Sequence, residues 1–182
     1  DHRDLHSFPT RRSSDLQVAQ IDAADVAYVE CHGTGTRLGD PIEIDALNQA
    51  MRANSAQELP HGHCLIGSLK SNIGHLDTVA GLAGLIKVAR CVQSGEIPAT
   101  LHFTQPNPHI GIEQTPFQVV ASRQPWPPHR PRLAGLSGFG FGGTNAHLIV
   151  AGPPDSKVSG PARAWTTLPL SAMTDTALRL QA

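Results

Sequence analysis

The sequence predicts an α/β fold, because strands and helices alternate along the first part of the chain and strands cluster after them. The chain has 182 residues, enough for one domain with a hydrophobic core. Only 16% of the residues are charged, and the counts of 17 glycines and 15 prolines are high. This composition is more typical of a loop-rich α/β enzyme segment than of a helical bundle.

Charge and cysteine content exclude several classes of function. The net charge is −1, with 14 basic and 15 acidic residues, so we expect no bulk attraction to nucleic acid or to a membrane surface. The longest apolar stretch, "VAGLAGLIKVA", is too short to span a bilayer and contains Lys87. Three cysteines form an odd set without paired spacing, which favours a reducing cytosol and predicts a cytoplasmic protein.

The first predicted elements are a strand and a helix joined by a Gly/Thr loop. Residues 25–31, "DVAYVEC", alternate and are rich in β-formers, which predicts a strand. The loop "HGTGTRLG" follows. The helix "DPIEIDALNQAMRA" then begins with Asp40 as N-cap, Pro41 at the first helical position and Glu43 three residues after the cap, as in a capping box.

The next predicted elements are a short buried strand at residues 64–68 and a long helix over residues 76–93. The loop "LKSNIGH" lies between them, and Gly95 is placed to end the helix. Gly81 and Gly84 inside the helix cost about 1 kcal/mol each against Ala. We therefore expect another backbone to approach the helix closely at these positions.

The remaining chain is predicted to be mostly β. "PFQVV" and "RLAGLS" are predicted strands, "GFGFGGT" a tight loop and "NAHLIVA" a further strand. Pro-rich, polar sequence follows Gly152.

Three segments are distinguished along the chain. Residues 1–16 lack an initiator Met and an apolar period and resemble translated sequencing-adapter read-through, so we exclude them from the fold as a non-native segment. We expect the natural sequence to begin near Gln17 and the chain to be a fragment. Residues 17–152 form the folded portion, and residues 153–182 form a linker.

Cys31 and His32 are adjacent, which raises the possibility of a Cys–His hydrolase. Neighbouring residues on a strand point to opposite faces, whereas a nucleophile and its base must come within hydrogen-bond reach. This geometry favours a buried structural cysteine at Cys31. His32, at the end of a strand and before a Gly/Thr loop, is well placed to enter a cleft.

Lys70 and His75 flank a glycine-containing loop after the second strand. Loops between a strand and a helix are where α/β folds place polar chemistry. The spacing alone leaves two interpretations open, a functional pair and a surface histidine with ordinary partners.

Two further motifs are weaker. "GFGFGG", residues 138–143, fits G-x-G-x-x-G, but a predicted strand follows it where a dinucleotide site needs a helix. "HGHC", residues 61–64, lacks a second ligand pair at zinc spacing. We therefore predict neither a bound cofactor nor a metal.

Three segments resemble the β-ketoacyl synthase (ketosynthase) domains of modular type I polyketide synthases. They are "VECHGTGTRLGDPIE", "GSLKSNIGHLDTVAGLAGLIKV" and "GLSGFGFGGTNAHLIV", in family order and spacing, with "GEIPATLHFTQPNP" between the last two. The resemblance covers about residues 17–152. The tail "LPLSAMTDTALRLQA" resembles the start of the linker to an acyltransferase domain.

The resemblance implies a thiolase-like fold of which this chain holds the C-terminal half, an incomplete layered αβαβα architecture. It implies decarboxylative Claisen condensation of an acyl thioester with a malonyl-type extender. The substrates are carried on the phosphopantetheine of an acyl carrier protein, and no cofactor is bound by the domain itself. The implied partners are that carrier protein, a second copy in a homodimer, and a downstream acyltransferase domain.

By motif match, His32 and His75 are the two catalytic histidines, and imidazole N–H donors suit the negative charge that decarboxylation develops. The resemblance assigns Lys70 and Glu43 to supporting roles, in which we expect charge-assisted bonds to hold the histidine loops. The other residues that it implies are supporting residues and members of a gating loop around the acyl entrance: Asp40 and Asn72; Phe139, Gly140, Phe141, Gly142 and Gly143.

The family's nucleophilic cysteine lies in a motif resembling D-T-A-C-S-S, which this sequence does not contain. His32 is thus expected to serve a cysteine outside these residues, and the chain alone is expected to be inactive. The alternative is a non-condensing ketosynthase-like scaffold or dimerisation domain. Retention of both histidines and the lysine argues against that alternative.

Overall fold

The structure is a computed structural model that describes residues 15–140, 142–153 and 171–181. Its strands are β1 (Tyr28–Glu30), β2 (Cys64–Gly67), β3 (Glu96–Ile97), β4 (Phe117–Val119), β5 (Gln124–Pro125), β6 (Leu133–Phe139) and β7 (Asn145–Ala151). Its α-helices, apart from a helical segment over residues 15–19, are α1 (Gly39–Ala53), α2 (Lys70–Ile73), α3 (Ala80–Ser94) and α4 (Asp175–Gln181). Short 3₁₀ turns occupy Ala23–Asp25, Asp77–Val79 and Ile112–Gln114.

A five-stranded sheet in the order β4-β2-β1-β6-β7 organises the described residues. Strands β4, β2, β1 and β6 are parallel, and β7 runs antiparallel to β6. Strand β1 lies between β2 and β6, so Val29 pairs with Ile66 on one side and with Gly135 on the other. The loops that follow these three parallel strands therefore leave the same edge of the sheet, where α/β folds bind their ligands.

The core lies on both faces of this sheet. Val29 packs with Leu47 of α1 on one face, and its neighbour Tyr28 packs with Val88 of α3 on the other. Adjacent strand residues point to opposite faces, so the two helices cover opposite sides of β1. This arrangement confirms the predicted α/β class.

The start of α1 differs from the prediction. The helix begins at Gly39, whose N–H donates to Thr36 Oγ1 at 3.0 Å, and Asp40 lies inside the helix. Asp40 Oδ1 instead accepts the N–H of Gly35 at 3.1 Å. The predicted N-cap role of Asp40 and the capping box with Glu43 are wrong, because the preceding loop folds back over the helix start and takes up both carboxylates.

Helix α3 agrees with the predicted long helix and ends, as predicted, at Gly95 in the left-handed conformation with φ 73°. A Cβ on Gly84 would lie 2.8 Å from Leu136 Cδ1, so the close neighbour there is a side chain rather than the expected backbone. The Cα of Gly81 lies 3.7 Å from where a Cβ of Gly138 would stand. A Cβ on Gly81 itself would meet nothing within 4 Å, so Gly84 alone of the two lets α3 pack closely against β6.

The C-terminal region is described only in part. Helix α4 lies within the predicted linker, and that linker and the other segment boundaries stay predictions. Among the helices of the described residues, none combines the length and apolarity needed to cross a membrane.

Candidate active site

His32 leaves the end of β1, one residue beyond Cys31. Its Nδ1 accepts a hydrogen bond from the backbone N–H of Phe139, at the end of the neighbouring strand β6, with an N–N distance of 3.4 Å. The rings of His32 and Phe139 are 5.0 Å apart. The ends of two parallel strands thus fix the position of the His32 imidazole.

His75 reaches the same place from the loop between α2 and the Asp77–Val79 turn. Gly74 has φ 77° and Asp77 has φ 52°, conformations that reverse the chain on both sides of His75. The N–H of Asp77 donates to His75 Nδ1 at 2.9 Å. The ring centroids of His75 and His32 lie 5.6 Å apart and meet edge to face at 84°.

Both histidines therefore use Nδ1 as an acceptor. A neutral imidazole with Nδ1 accepting carries its proton on Nε2, so each ring keeps an N–H donor for a further partner. Burial lowers the pKa of His32 to about 4, with further contributions from the charges of Lys70 and His75. At neutral pH His32 is accordingly an uncharged hydrogen-bond donor.

Glu43 holds the His32 loop from helix α1. Its side chain is buried, and its two carboxylate oxygens accept the N–H groups of His32 at 2.8 Å and Gly33 at 2.9 Å. The charge-assisted bonds expected of Glu43 are therefore present in the structure.

Lys70 begins α2 and is half-buried beside the histidines. Burial lowers the pKa of Lys70, while the carboxylates of Glu30 and Glu43 act in the opposite direction. A cavity of about 570 Å³ lies next to it, lined by residues that include Thr34, Glu43 and Lys70. His32 and His75 are not among the described residues that line it, so this cavity is not the cleft that His32 was expected to enter.

The other predicted supporting residues are less directly connected. Asp40, inside α1, accepts the N–H of Gly35 in the preceding loop, and burial raises the pKa of Asp40. The exposed Asn72 accepts a hydrogen bond from Ser71 Oγ at 3.2 Å, and the described residues show no bond from Asn72 to either histidine.

The predicted gating loop follows β6. Gly140 donates its N–H to Thr144 O at 2.7 Å, and Gly142 and Gly143 have φ values of 90° and 87°, so the turn requires residues that tolerate positive φ. Phe139 contacts His32, and the predicted gate residue Phe141 lies outside the described residues. Asn145–Ala151 form a strand rather than a helix, which excludes the dinucleotide interpretation of this loop.

The three cysteines of the chain are buried. Cys31 is 7% exposed and packs in the core cluster that contains Val29, with its Sγ 3.9 Å from Val29 O. Burial raises the pKa of Cys64 to about 12 and that of Cys91 to about 11. A thiolate nucleophile is therefore disfavoured at Cys64 and Cys91.

The "HGHC" segment serves the fold. His63 Nε2 lies 2.9 Å from Ala24 O, and His61 Nδ1 lies 3.1 Å from Thr115 O. Within the described ranges no three His, Cys, Asp or Glu side chains are grouped so that they could hold a metal ion.

Sequence reasoning missed Glu30, which is 2% exposed and ends strand β1. A carboxylate in a predicted buried strand was a signal, because a buried charge requires partners. Those partners, Tyr28, Leu69 and Lys87, come from three parts of the chain, and no local pattern connects them.

The structure is that of an α/β protein in which loops at the ends of a mostly parallel sheet bring two histidines together. The chain belongs to the β-ketoacyl synthase family: residues 13–104 match the family described as "Beta-ketoacyl synthase, C-terminal domain". Residues 106–182 match "Ketoacyl-synthetase C-terminal extension".

The relatives of this chain include a polyketide synthase and an erythronolide synthase. Over 165 residues the chain is 47% identical to a phenolphthiocerol/phthiocerol polyketide synthase of Mycobacterium tuberculosis, in a match that covers 88% of this chain and 11% of that protein. It is 45% identical over 170 residues to the erythronolide synthase EryA3 of Saccharopolyspora erythraea, covering 92% of this chain and 5% of that one. The chain thus spans about a tenth or less of the length of these relatives.

Solved ketosynthases share the fold. Ketosynthase twelve of the bacillaene polyketide synthase of Bacillus amyloliquefaciens superposes with a TM-score of 0.74 at 44% identity, covering 80% of this chain and 26% of that one. The module 6 ketosynthase of the bacillaene synthase of Bacillus subtilis 168 gives 0.76 at 38% identity, covering 82% and 27%. These matches confirm the thiolase-like ketosynthase fold and place this chain in its C-terminal part.

Proposed function

We propose that His32 and His75 act together in decarboxylative condensation within a polyketide synthase ketosynthase. The observation that carries the proposal is the contact between two imidazoles that each accept a backbone N–H at Nδ1. Both Nε2–H groups then remain available as donors in a site where His32 is neutral.

The chemistry that such a pair supports follows from charge. A malonyl-type thioester that loses CO₂ leaves its bonding electron pair as an enolate, with negative charge on the thioester oxygen. Two N–H donors stabilise that oxygen without carrying charge themselves. The enolate carbon then attacks an acyl thioester, forming the carbon–carbon bond and releasing the thiolate that held the acyl group.

The remaining parts of this reaction are proposed on the family relationship. The acyl-bearing cysteine belongs to the rest of the ketosynthase domain, and the extender arrives on the phosphopantetheine of an acyl carrier protein. No cofactor of the domain takes part. A homodimer and a downstream acyltransferase domain complete the proposed assembly.

The test uses the complete ketosynthase domain that includes this segment. His32→Ala and His75→Ala should each lower CO₂ release from malonyl carrier protein by about 10²–10³-fold, the usual effect of losing one donor to a developing oxyanion. His109→Ala, a change at an exposed histidine, is the matched control and should leave the rate unchanged. Full activity in both site variants would overturn the role of the two histidines, whereas a wild-type domain without condensing activity would favour the scaffold interpretation instead.

A further inference from the structure

Glu30 has an unusual position between the two histidine segments. It is the last residue of β1, two residues before His32. Its Oε1 accepts the N–H of Leu69 at 2.5 Å, and Leu69 immediately precedes Lys70 and helix α2. Glu30 thus belongs to the strand that leads to His32, and its carboxylate is bonded to the segment that leads to His75.

The second carboxylate oxygen of Glu30 contacts α3, the helix that follows His75. Lys87 Nζ of α3 lies 2.6 Å from Glu30 Oε2, with 7% and 3% of the two side chains exposed. The hydroxyl of Tyr28 donates to the same oxygen at 2.6 Å. Burial and the neighbouring carboxylate raise the pKa of Tyr28, which keeps the phenol protonated as a donor.

The helix can supply Lys87 because glycine lies one turn earlier. A Cβ at Gly84 would be 3.5 Å from Glu30 Cγ and 2.8 Å from Leu136 Cδ1. The absence of that Cβ lets α3 lie against the ends of β1 and β6. Both ends of the segment that carries His75 are thus anchored to Glu30.

We infer that Glu30 is a positioning residue of this active site, an inference that rests on the proposed function. Its carboxylate holds the segments that carry His32 and His75 in one fixed arrangement. A buried carboxylate is costly unless every oxygen is paired, and this one is paired with a backbone N–H, a phenol and an ammonium. The hydrogen bond from the Leu69 N–H to Glu30 is the contact that fixes the segment carrying His75 relative to His32.

The first test separates this bond from the buried charges, in the complete domain. Glu30→Gln with Lys87→Met removes both charges but keeps an amide oxygen that accepts the Leu69 N–H. Glu30→Leu with Lys87→Met removes the acceptor as well. We expect the Leu variant to have a kcat about 10²-fold below the Gln variant, since small displacements of reacting groups carry costs of that order. KM for the carrier-bound extender should remain similar.

A second pair of variants acts at Leu69 itself. Leu69 has φ −62°, which proline adopts, so Leu69→Pro replaces the N–H by the ring Cδ and breaks the contact with Glu30 Oε1. Leu69→Ala keeps the N–H and serves as the control. The proline variant should lose kcat and the alanine variant should keep it, and this pair decides the question if the Glu30→Leu variant does not fold.

Different experimental results would contradict the positioning role of Glu30 and the proposed function. Rates are expressed per folded site, counted by thermal unfolding and size-exclusion chromatography. Equal kcat in the Gln and Leu variants, or loss of kcat only in proportion to folded protein, would overturn the positioning role. That result combined with inactive His32→Ala and His75→Ala variants would leave the proposed function intact.

Discussion

The site is built from backbone N–H groups that point at side-chain acceptors. Glu43 accepts from the His32 segment, Glu30 accepts from Leu69, and each histidine accepts at Nδ1. Buried donors and acceptors that satisfy one another resist movement, because separating them leaves unpaired polar groups. His32 is therefore held in place before any substrate binds, whereas the hydrogen bond at His75 is exposed to solvent.

The protonation of His32 can be tested directly. Its pKa is lowered to about 4, so the ring should half-titrate near pH 4 rather than near 6.5. The unfolded chain takes up that proton first as the pH falls. The stability associated with neutral His32 is thus present above pH 6.5 and is lost between 6.5 and 4. Imidazole NMR shifts followed over pH measure the midpoint.

Removing the charge of Lys70 tests its effect on the pKa of His32. Lys70 lowers the pKa of His32, so Lys70→Met should move the midpoint upwards. Arg90→Met, an exposed cation change on α3, should not move it. A wild-type midpoint of about 6 to 7, the ordinary range for histidine, or no response to Lys70→Met, would contradict this account.

At the scale of elements, the sequence predicted structure where the pattern was local. Strands β1, β2 and β7 and helix α3 follow alternation, apolar periodicity and a terminal glycine, which depend on neighbours in the sequence. Helix α2, one turn within the predicted loop "LKSNIGH", was missed because a single turn carries no apolar period.

The same distinction applies to the site. The two histidines and Glu43 were found from motifs, whereas Glu30 was not, since its partners Leu69 and Lys87 are 39 and 57 residues away in sequence. The N-cap assignment of Asp40 failed for a different reason, since its actual partner is only five residues away. The loop before α1 folds back, so Asp40 accepts the N–H of Gly35 in that loop rather than one at the start of its own helix.

The contact between α3 and β6 yields a prediction about packing. A methyl group at Gly84 would stand 2.8 Å from Leu136 Cδ1, so Gly84→Ala should destabilise the domain by about 1–3 kcal/mol despite the better helix propensity of Ala. Leu136→Val shortens the opposing side chain. Urea unfolding of the single and double variants should give a coupling that makes Gly84→Ala less costly in the Val background. Additive effects would show that the two residues do not interfere.

At the scale of the whole molecule, the segment from the end of α2 to the middle of α3 exposes a series of apolar side chains. Apolar residues spaced three or four apart are exposed there: Ile73 53%, Leu76 37%, Val79 51%, Leu82 59% and Ile86 60%. The opposite face of α3 buries Lys87, Val88 and Cys91 against the sheet. This series of exposed apolar residues, called the apolar stripe below, favours association.

We therefore expect the 182-residue chain, expressed by itself, to associate. Leu82→Lys combined with Ile86→Lys should shift it towards monomer, because two charges interrupt the stripe. Val18→Lys, at an isolated residue that is 84% exposed, is the control and should change little. Light scattering after size-exclusion chromatography measures the mass. A monomeric wild-type chain, or an equal effect of Val18→Lys, would contradict the role of the stripe.

The last prediction concerns what these residues can do by themselves. Condensation requires a covalent acyl thioester, and a thiol must ionise and be reached before it can form one. With a pKa of about 12, Cys64 is ionised in roughly one molecule in 10⁵ at pH 7, and Cys91 in about one in 10⁴. Cys31 is packed in the core directly after β1, and His32 next to it turns towards Phe139.

The chain incubated with an acyl thioester should thus show no acylated cysteine peptide by mass spectrometry, while glutathione in the same tube is acylated. Cys31→Ala should give the same spectrum as the wild type. Stoichiometric acylation of Cys31 that disappears in this variant would mean that His32 serves its own neighbour, and would replace the shared two-histidine site with a Cys–His pair.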